Sequence, residues 1–297
     1  MANEVTTGAF SDVTYAEVIE ADMQLELRPH RVIRPFLRQG TSGPSTAFSF
    51  TYLDDSGSTS YAYTEATTDF IAGTLTAQTT TGSNATAAVT GIATLVTDLA
   101  EAVSVVGVND TVVGAMGRHM AESYDATVWA VIDGYANSTG TATTNTIARL
   151  LTVISALEQR DVGSRGERLV GIQHAKQVGD LRADIVGLTS TFLAGNDAQV
   201  SGLLMNSLDG YAGDPFGVPV FQTTTVTNAS SMYQGAVFAV NSACGVYELD
   251  HPSSGKWLER IEIQRDGSKV ANEVICTSAY GAAIIDDNRL QGCKSTT

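Results

Sequence analysis

NDTVVGAMGRHMAESYDATVWAVIDGY, from Asn109 to Tyr135, decides how the chain is read. Val112, Met116, Met120, Tyr124, Val128, Val131 and Tyr135 recur at steps of three and four, the spacing of one helix face. Asn109 is a candidate N-cap, and Gly134 and Asn137 supply the stop. Roughly 28 residues at ~1.5 Å rise make a helix of about 40 Å, several times the usual three turns. His119 and the methionines on it read as packing residues.

Downstream, the pattern alternates between helix and strand. A second amphipathic helix follows Asn145 through Ile147, Leu150, Leu151, Ile154 and Leu157 and ends before Gly163. Arg168 to Ile172 reads as a short strand and His174 to Ile185 as a helix carrying Val178, Leu181 and Ile185. GDPFGVPVFQTTTVTN then reads as turn, strand and loop, and GAVFAVNSACGVYEL as a buried strand with a turn. WLERIEIQRDGSKV alternates at Leu258, Ile261 and Ile263 up to an Asp266-Gly267 turn, and VICTSAYGAAIIDD predicts another apolar strand pair.

Upstream, Phe48, Phe50 and Tyr52 alternate toward a turn at Asp54-Asp55-Ser56-Gly57, with Tyr61 and Tyr63 alternating on the return. These aromatics are placed to stack across the pair. The Thr-rich stretch continues to about Val96 with a second turn near Gly82-Ser83-Asn84, and no charged residue occurs from Phe70 to Thr97. A long two-stranded excursion is marginal alone in water, so it must lie on something, with another subunit as a candidate. Ahead of it, Tyr15 to Met23 has the pattern of a short helix. LELRPHRVIRPFLRQ follows, with Arg28, Arg31, Arg34 and Arg38 at near-helical spacing; Pro29 and Pro35 forbid a continuous helix there. It reads either as an extended arm with a basic edge or as a solvated charge run pairing with local carboxylates.

The composition fits that division. Of 297 residues, 43% are hydrophobic and only 16% charged, which excludes a disordered chain. Seventeen basic against 32 acidic residues leave a net charge of −15, so binding nucleic acid through the whole surface is excluded. No apolar run approaches the roughly 18 residues of a membrane span, and the N-terminus lacks the basic and apolar regions of a signal peptide. Cys244, Cys276 and Cys293 are odd in number and form no CxxC, which points to a reducing compartment. The chain has no P-loop, GxSxG, HExxH, EF-hand or strand-anchored GxGxxG motif. His30, His119, His174 and His251 are scattered, and Asp54/Asp55 and Asp286/Asp287 read as turn chemistry. No catalytic, cofactor-binding or metal-binding residue is singled out, and the chain is read as a non-enzyme.

Four stretches in order carry a resemblance. TLVTDLAEAVSVVGVNDTVVGAMGRHMAESYDATVWAVIDG, RLVGIQHAKQVGDLRADI, DPFGVPVFQTTTVTN and WLERIEIQRDGSKVANEVICTSAYGAAIIDD cover most of the chain beyond Leu95. Their order and spacing resemble the major capsid protein of tailed double-stranded-DNA bacteriophages, the Hong Kong 97-type capsid fold. In such a protein they would be the spine helix with its lead-in, the strand and helix entering the axial domain, that domain's Gly-x-Pro-Val strand, and the closing strands of the peripheral domain. The resemblance implies an α+β fold with an N-terminal arm (1–40), an extended β-hairpin loop (41–95), a peripheral domain with the long spine helix (96–164), an axial domain (165–255) and peripheral C-terminal strands (256–297). Ala175 stands where many relatives carry proline. No lysine precedes Lys176, so the hairpin has no amine for an isopeptide cross-link of the kind some relatives form.

The function implied is self-assembly, as pentamers and hexamers, into an icosahedral shell enclosing double-stranded DNA. Arg28, Arg31, Arg34, Arg38, Phe48, Phe50, Tyr52, Tyr61 and Tyr63 are the candidate inter-subunit contacts. Further implied partners are a separate scaffolding protein (the arm begins within about twenty residues of Met1), a portal, the packaged DNA through weak contacts and a decoration protein; no membrane is involved. The site would be the virion, after synthesis in the host bacterial cytoplasm. The rivals are an encapsulin-like compartment shell, a Thr-rich phage tail or surface-binding protein, and a hydrolase with an unrecognised site.

Overall fold

Apolar side chains on the long helix recur in two adjacent rows, and the fold is built along them. The structure, a computed structural model, describes residues 31–41, 45–54, 79–97, 108–140, 143–163, 166–192, 211–249, 260–269 and 271–296. The strands among them are β1 (Arg38–Gln39), β2 (Ala47–Asp54), β3 (Thr79–Thr86), β4 (Ala88–Thr97), β5 (Ser138–Thr139), β6 (Leu169–His174), β7 (Tyr211–Gly213), β8 (Val220–Thr223), β9 (Asn228–Ala229), β10 (Met232–Ala239), β11 (Cys244–Glu248), β12 (Arg260–Asp266), β13 (Ala271–Ile284) and β14 (Leu290–Thr296). The helices are α1 (Val108–Ile132), α2 (Ile147–Glu158) and α3 (Ala175–Phe192).

On α1, Met116, Met120, Tyr124, Val128 and Ile132 form one buried row, with Ala121, Asp125 and Trp129 beside it. Trp129 is in the core and Val131 only half-buried, a shift of one position from the sequence expectation. His119 is exposed, so its expected packing role is corrected: it falls on the opposite face. The helix ends as predicted, in a tightened turn where Gly134 N–H donates to the Val131 carbonyl at 3.1 Å.

The partner of α1 is β13, one unbroken strand of 14 residues and not the predicted pair. Its even-numbered side chains face the helix: Val274 and Cys276 meet Met116 and Met120, and Tyr280 meets Tyr124 at a ring separation of 4.6 Å. Antiparallel β12 and β11 pair with successive lengths of β13, and β4 pairs with it from Ala271↔Thr97 to Tyr280↔Ala88. The ten residues of β4, expected in the hairpin excursion, therefore belong to this sheet. Ile92 and Val96 of β4 pack with Met116 and Met120 of α1, apolar side chains that the polar β3 lacks.

A second sheet runs β5-β14-β10-β6-β8-β7, with β9 on β10. Val237, Ala239, Cys293 and Val220 on it pack against Leu150, Val153, Ile154 and Leu157 of α2 and Val178 and Leu181 of α3. Thr146 caps α2, its side chain accepting from Arg149 N, so the helix follows Asn145 as expected. Val153 is buried and Leu151 exposed, the reverse of what one spacing choice predicts. The sheets do not follow the sequence blocks: β11 (from 165–255) completes the first sheet and β14 (from 256–297) the second.

Asn145 is buried and ties α2 to α3. Its Nδ2 donates to Gln173 Oε1 and the Gln177 carbonyl, both at 3.1 Å, and Gln177 Nε2 donates to the Cys293 carbonyl at 3.0 Å. A buried amide network of this kind costs little because its donors are satisfied.

Candidate functional site

Two extensions meet the first sheet at β11, and the candidate contact residues sit at their roots. β11 is buried on both faces, and its alternation separates them. Cys244 and Val246 face the core shared with α1, while Tyr247 faces the hairpin.

The arm enters on the α1 side. Ile33 and Leu37 are fully buried among Tyr124, Val128 and Trp129, a contribution of about 1.5–3 kcal/mol each. Arg34–Phe36 is one 3-10 turn carrying Pro35, after which β1 pairs in parallel with β11, Arg38↔Gly245 and Gln39↔Val246. Gly40 N–H donates to the Val246 carbonyl at 2.8 Å, and Phe36 packs its ring 4.7 Å from Phe221 of the second sheet.

Charge clamps this root. Arg34 makes a two-pronged contact with Glu248, Nε to Oε1 at 2.7 Å and Nη2 to Oε2 at 2.6 Å. Tyr124 Oη donates to the same Glu248 Oε1 at 2.8 Å; burial first, and then the Glu248 charge, pushes the phenol well above its ordinary range. The Arg31 guanidinium lies over the Tyr124 ring, 4.7 Å from its centre. Of the basic residues singled out from sequence, Arg31 and Arg34 thus make contacts within their own chain, and the carboxylate that Arg34 meets is not a local one. Glu248 lies 214 residues from Arg34, too far for sequence to pair them. Arg38 is exposed, its Nη1 3.4 Å from the Thr51 carbonyl.

The hairpin root packs on the opposite face without charge. Phe50 is 1% exposed, its ring seated on Gly245, where an added Cβ would come within 2.6 Å of the ring. Phe48 stacks on Tyr247 at 5.4 Å, and Tyr247 Oη donates to the Ser45 carbonyl at 2.7 Å. Ala85, Ala283 and Ile285 complete this cluster, with Tyr52 and Leu249 at its margin. Here the structure corrects the predicted hairpin. Phe48, Phe50 and Tyr52 stand opposite Ala85, Ser83 and Thr81, and Gly82-Ser83-Asn84 is the middle of β3, where a turn was expected. The Asp-Gly turn signal favoured a short return, but the strand that pairs begins at Thr79. Phe50, expected at an inter-subunit contact, is buried within its own chain. Arg28, Tyr61 and Tyr63, and the helix expected over Tyr15 to Met23, lie outside the described residues.

Chemistry elsewhere is sparse. Among the described residues no three His, Cys, Asp or Glu side chains are grouped to hold a metal, and no helix is long and apolar enough to cross a membrane. Cys244, Cys276 and Cys293 are buried thiols outside any disulfide, and burial pushes the Cys293 thiol up to about 12. Asp286 serves the predicted turn, its Oδ1 accepting from Asn288 N at 2.9 Å. His174 stacks on Tyr233 at 3.8 Å, and burial lowers its pKa.

A long helix along one sheet, a second α/β unit, and an arm and a hairpin rooted on one strand together match solved shell subunits. The chain is similar in structure to the asymmetric unit of the bacteriophage PhiM1 mature capsid, with a TM-score of 0.61 and 11% identity over 100% of this chain and 91% of that one. The fold is the Hong Kong 97-type capsid fold. The capsid of cyanophage P-SCSP1u shares it at a TM-score of 0.60 and 14% identity, over 90% of this chain and 88% of that one. So does a holo encapsulin complex from Synechococcus elongatus PCC 7942, at 0.58 and 13% over 96% and 95%. No family model matches the chain, and no curated protein matches it in sequence. At such identities the fold is shared with few residues in common.

Proposed function

We propose that the chain is the major capsid protein of a tailed double-stranded-DNA phage, and that its role is structural, not catalytic. The observation that carries this reading is the end-to-end likeness to shell subunits, which spans nearly the whole of both chains. Subunits join in pentamers and hexamers through contacts that close as rings, and each buries an obligate interface of more than about 2,000 Å². The uncharged run from Phe70 to Thr97 suits burial against neighbours, because it offers no charge to desolvate. Arg38 and, from the sequence pattern, Arg28, Tyr61 and Tyr63 remain the proposed inter-subunit contacts. With a net charge of −15 the shell holds its DNA by weak contacts only. A separate scaffolding protein, a portal and a decoration protein complete the proposed partners, and the virion is the proposed location.

The likeness to an encapsulin supports a second reading, a compartment shell around a protein cargo. Expression of the chain alone and with its neighbouring genes, followed by sizing and electron microscopy, tests both. Closed particles tens of nanometres across are expected, and DNA or a docked protein inside them separates the two. A monodisperse small species from both expressions would refute the shell.

A further inference from the structure

The arm root holds a buried acid that shell formation does not by itself require. Asp125 sits in the apolar stripe of α1 at 1% exposure, beside Tyr124, Val128 and Trp129. Its Oδ2 accepts from Val32 N–H at 2.9 Å, and the Ile33 amide adds a second bond to the carboxyl group. Oδ1 is buried and has no hydrogen-bond partner among the described residues. A carboxylate has about four lone-pair sites, and leaving one of its oxygens dry is costly when the group is charged. The arrangement suits the neutral acid: Oδ2 accepts as a carbonyl, and Oδ1 carries the proton.

The charged and titratable neighbours come from three elements. On the arm, the Arg31 guanidinium lies over Tyr124 and favours the anion. On α1 itself stands Tyr124, and on β11 Glu248, which accepts from Tyr124 and is held by Arg34 of the arm. Burial outweighs the two amides and the Arg31 charge and lifts the Asp125 carboxyl from the carboxylate range to about 6.

We propose that Asp125 is a proton-operated latch on the arm: with a proton on Oδ1 it holds Val32 and Ile33 shut on α1, and loss of that proton loosens the arm root. In an opened arm Asp125 meets water and titrates near its ordinary value of 3.8, against about 6 when docked. The docked form binds the proton more tightly, so docking is firmest below pH 4, weakens as pH rises toward 6 and is level above it. Within that window the docked-to-open ratio changes about tenfold per pH unit, about a hundredfold in all. An ion-paired carboxylate behaves in the opposite way and loses its grip in acid. The latch goes beyond the shell reading and holds for the subunit whether or not it assembles.

Amide hydrogen exchange of the full chain between pH 4 and 7.5 tests it. Rates at Val32 and Ile33 are corrected for intrinsic chemistry at each pH and referred to Val128 and Trp129 within α1. Protection at the two arm amides is expected to fall about fiftyfold from pH 4 to 6.5, while Asp125→Asn, which cannot ionise, shows a flat profile. Arg31→Gln, which removes the cation, is expected to move the upper bend of the profile to higher pH. Superimposable wild-type and Asp125→Asn profiles, or protection that falls in acid, would overturn the latch. Should Asp125→Asn not fold, an upper bend unmoved by Arg31→Gln does the same.

Discussion

β11 anchors two extensions, one on each face, by opposite chemistry. On the α1 face, Glu248 takes the Arg34 guanidinium and the Tyr124 hydroxyl, and a buried acid holds the arm backbone. On the other face, Phe50 rests on the bare backbone of Gly245 and Phe48 lies on Tyr247. Charged clamps have direction and respond to protons and salt; close packing responds to neither over ordinary conditions.

The largest effect is expected where the packing is densest. Phe50→Ala should destabilise the subunit by about 3–5 kcal/mol in urea denaturation, because β2 loses its one fully buried large ring. Gly245→Ala should cost about 1–3 kcal/mol, since the new methyl meets three atoms of the Phe50 ring. The double variant should cost less than the sum of the two, since truncating the ring removes the clash. Simple additivity would mean that the seat does not exist in solution.

On the charged face the expected effect is smaller. Glu248→Gln should cost roughly 1 kcal/mol, because the Arg34 side chain is 40% exposed and solvent screens the pair. Most of that loss should vanish in 1 M salt, where charges are screened within about 3 Å. Combined with Phe50→Ala, it should add to within about 0.5 kcal/mol if the two faces act independently. A larger coupling would break the comparison, showing that β11 transmits strain from one extension to the other.

This division also explains what was legible in the sequence. Helix α1 could be read because one face must stay apolar over 25 residues, and errors of one position, as at Trp129 and Val131, do not erase a long period. The strand-to-helix passage from β6 into α3 was readable for the same reason. The hairpin register was not, because its specificity lies in glycines that carry no pattern: Gly245 seats Phe50, and Gly281 lets the chain of Thr86 pass close by. β4 carries Val89, Ile92, Leu95 and Val96 where β3 has only small and polar side chains, so its place on β13 had a usable signal that composition over the whole Thr-rich stretch concealed. The arm clamp joins residues more than 90 positions apart, so neither Asp125 nor Glu248 drew attention, although a charge within an apolar stripe was a usable signal.

The smallest expected effect on the subunit belongs to Arg38, and it separates the inner role of the arm from its outer one. Arg38 stands at the start of β1 with its side chain exposed, and among the described residues it donates a hydrogen bond to the Thr51 carbonyl at 3.4 Å. Arg38→Ala should therefore change subunit stability by less than about 0.5 kcal/mol, unlike Phe50→Ala or Glu248→Gln. Its backbone bonds to β11 do not need the side chain, so β1 should remain in place. If the arm's free basic edge meets a neighbouring subunit, the same variant should yield fewer closed shells at equal subunit concentration, with a steeper salt dependence for the wild type. Unchanged shell yield beside unchanged stability would show that the arm acts only inward, through Asp125 and Glu248.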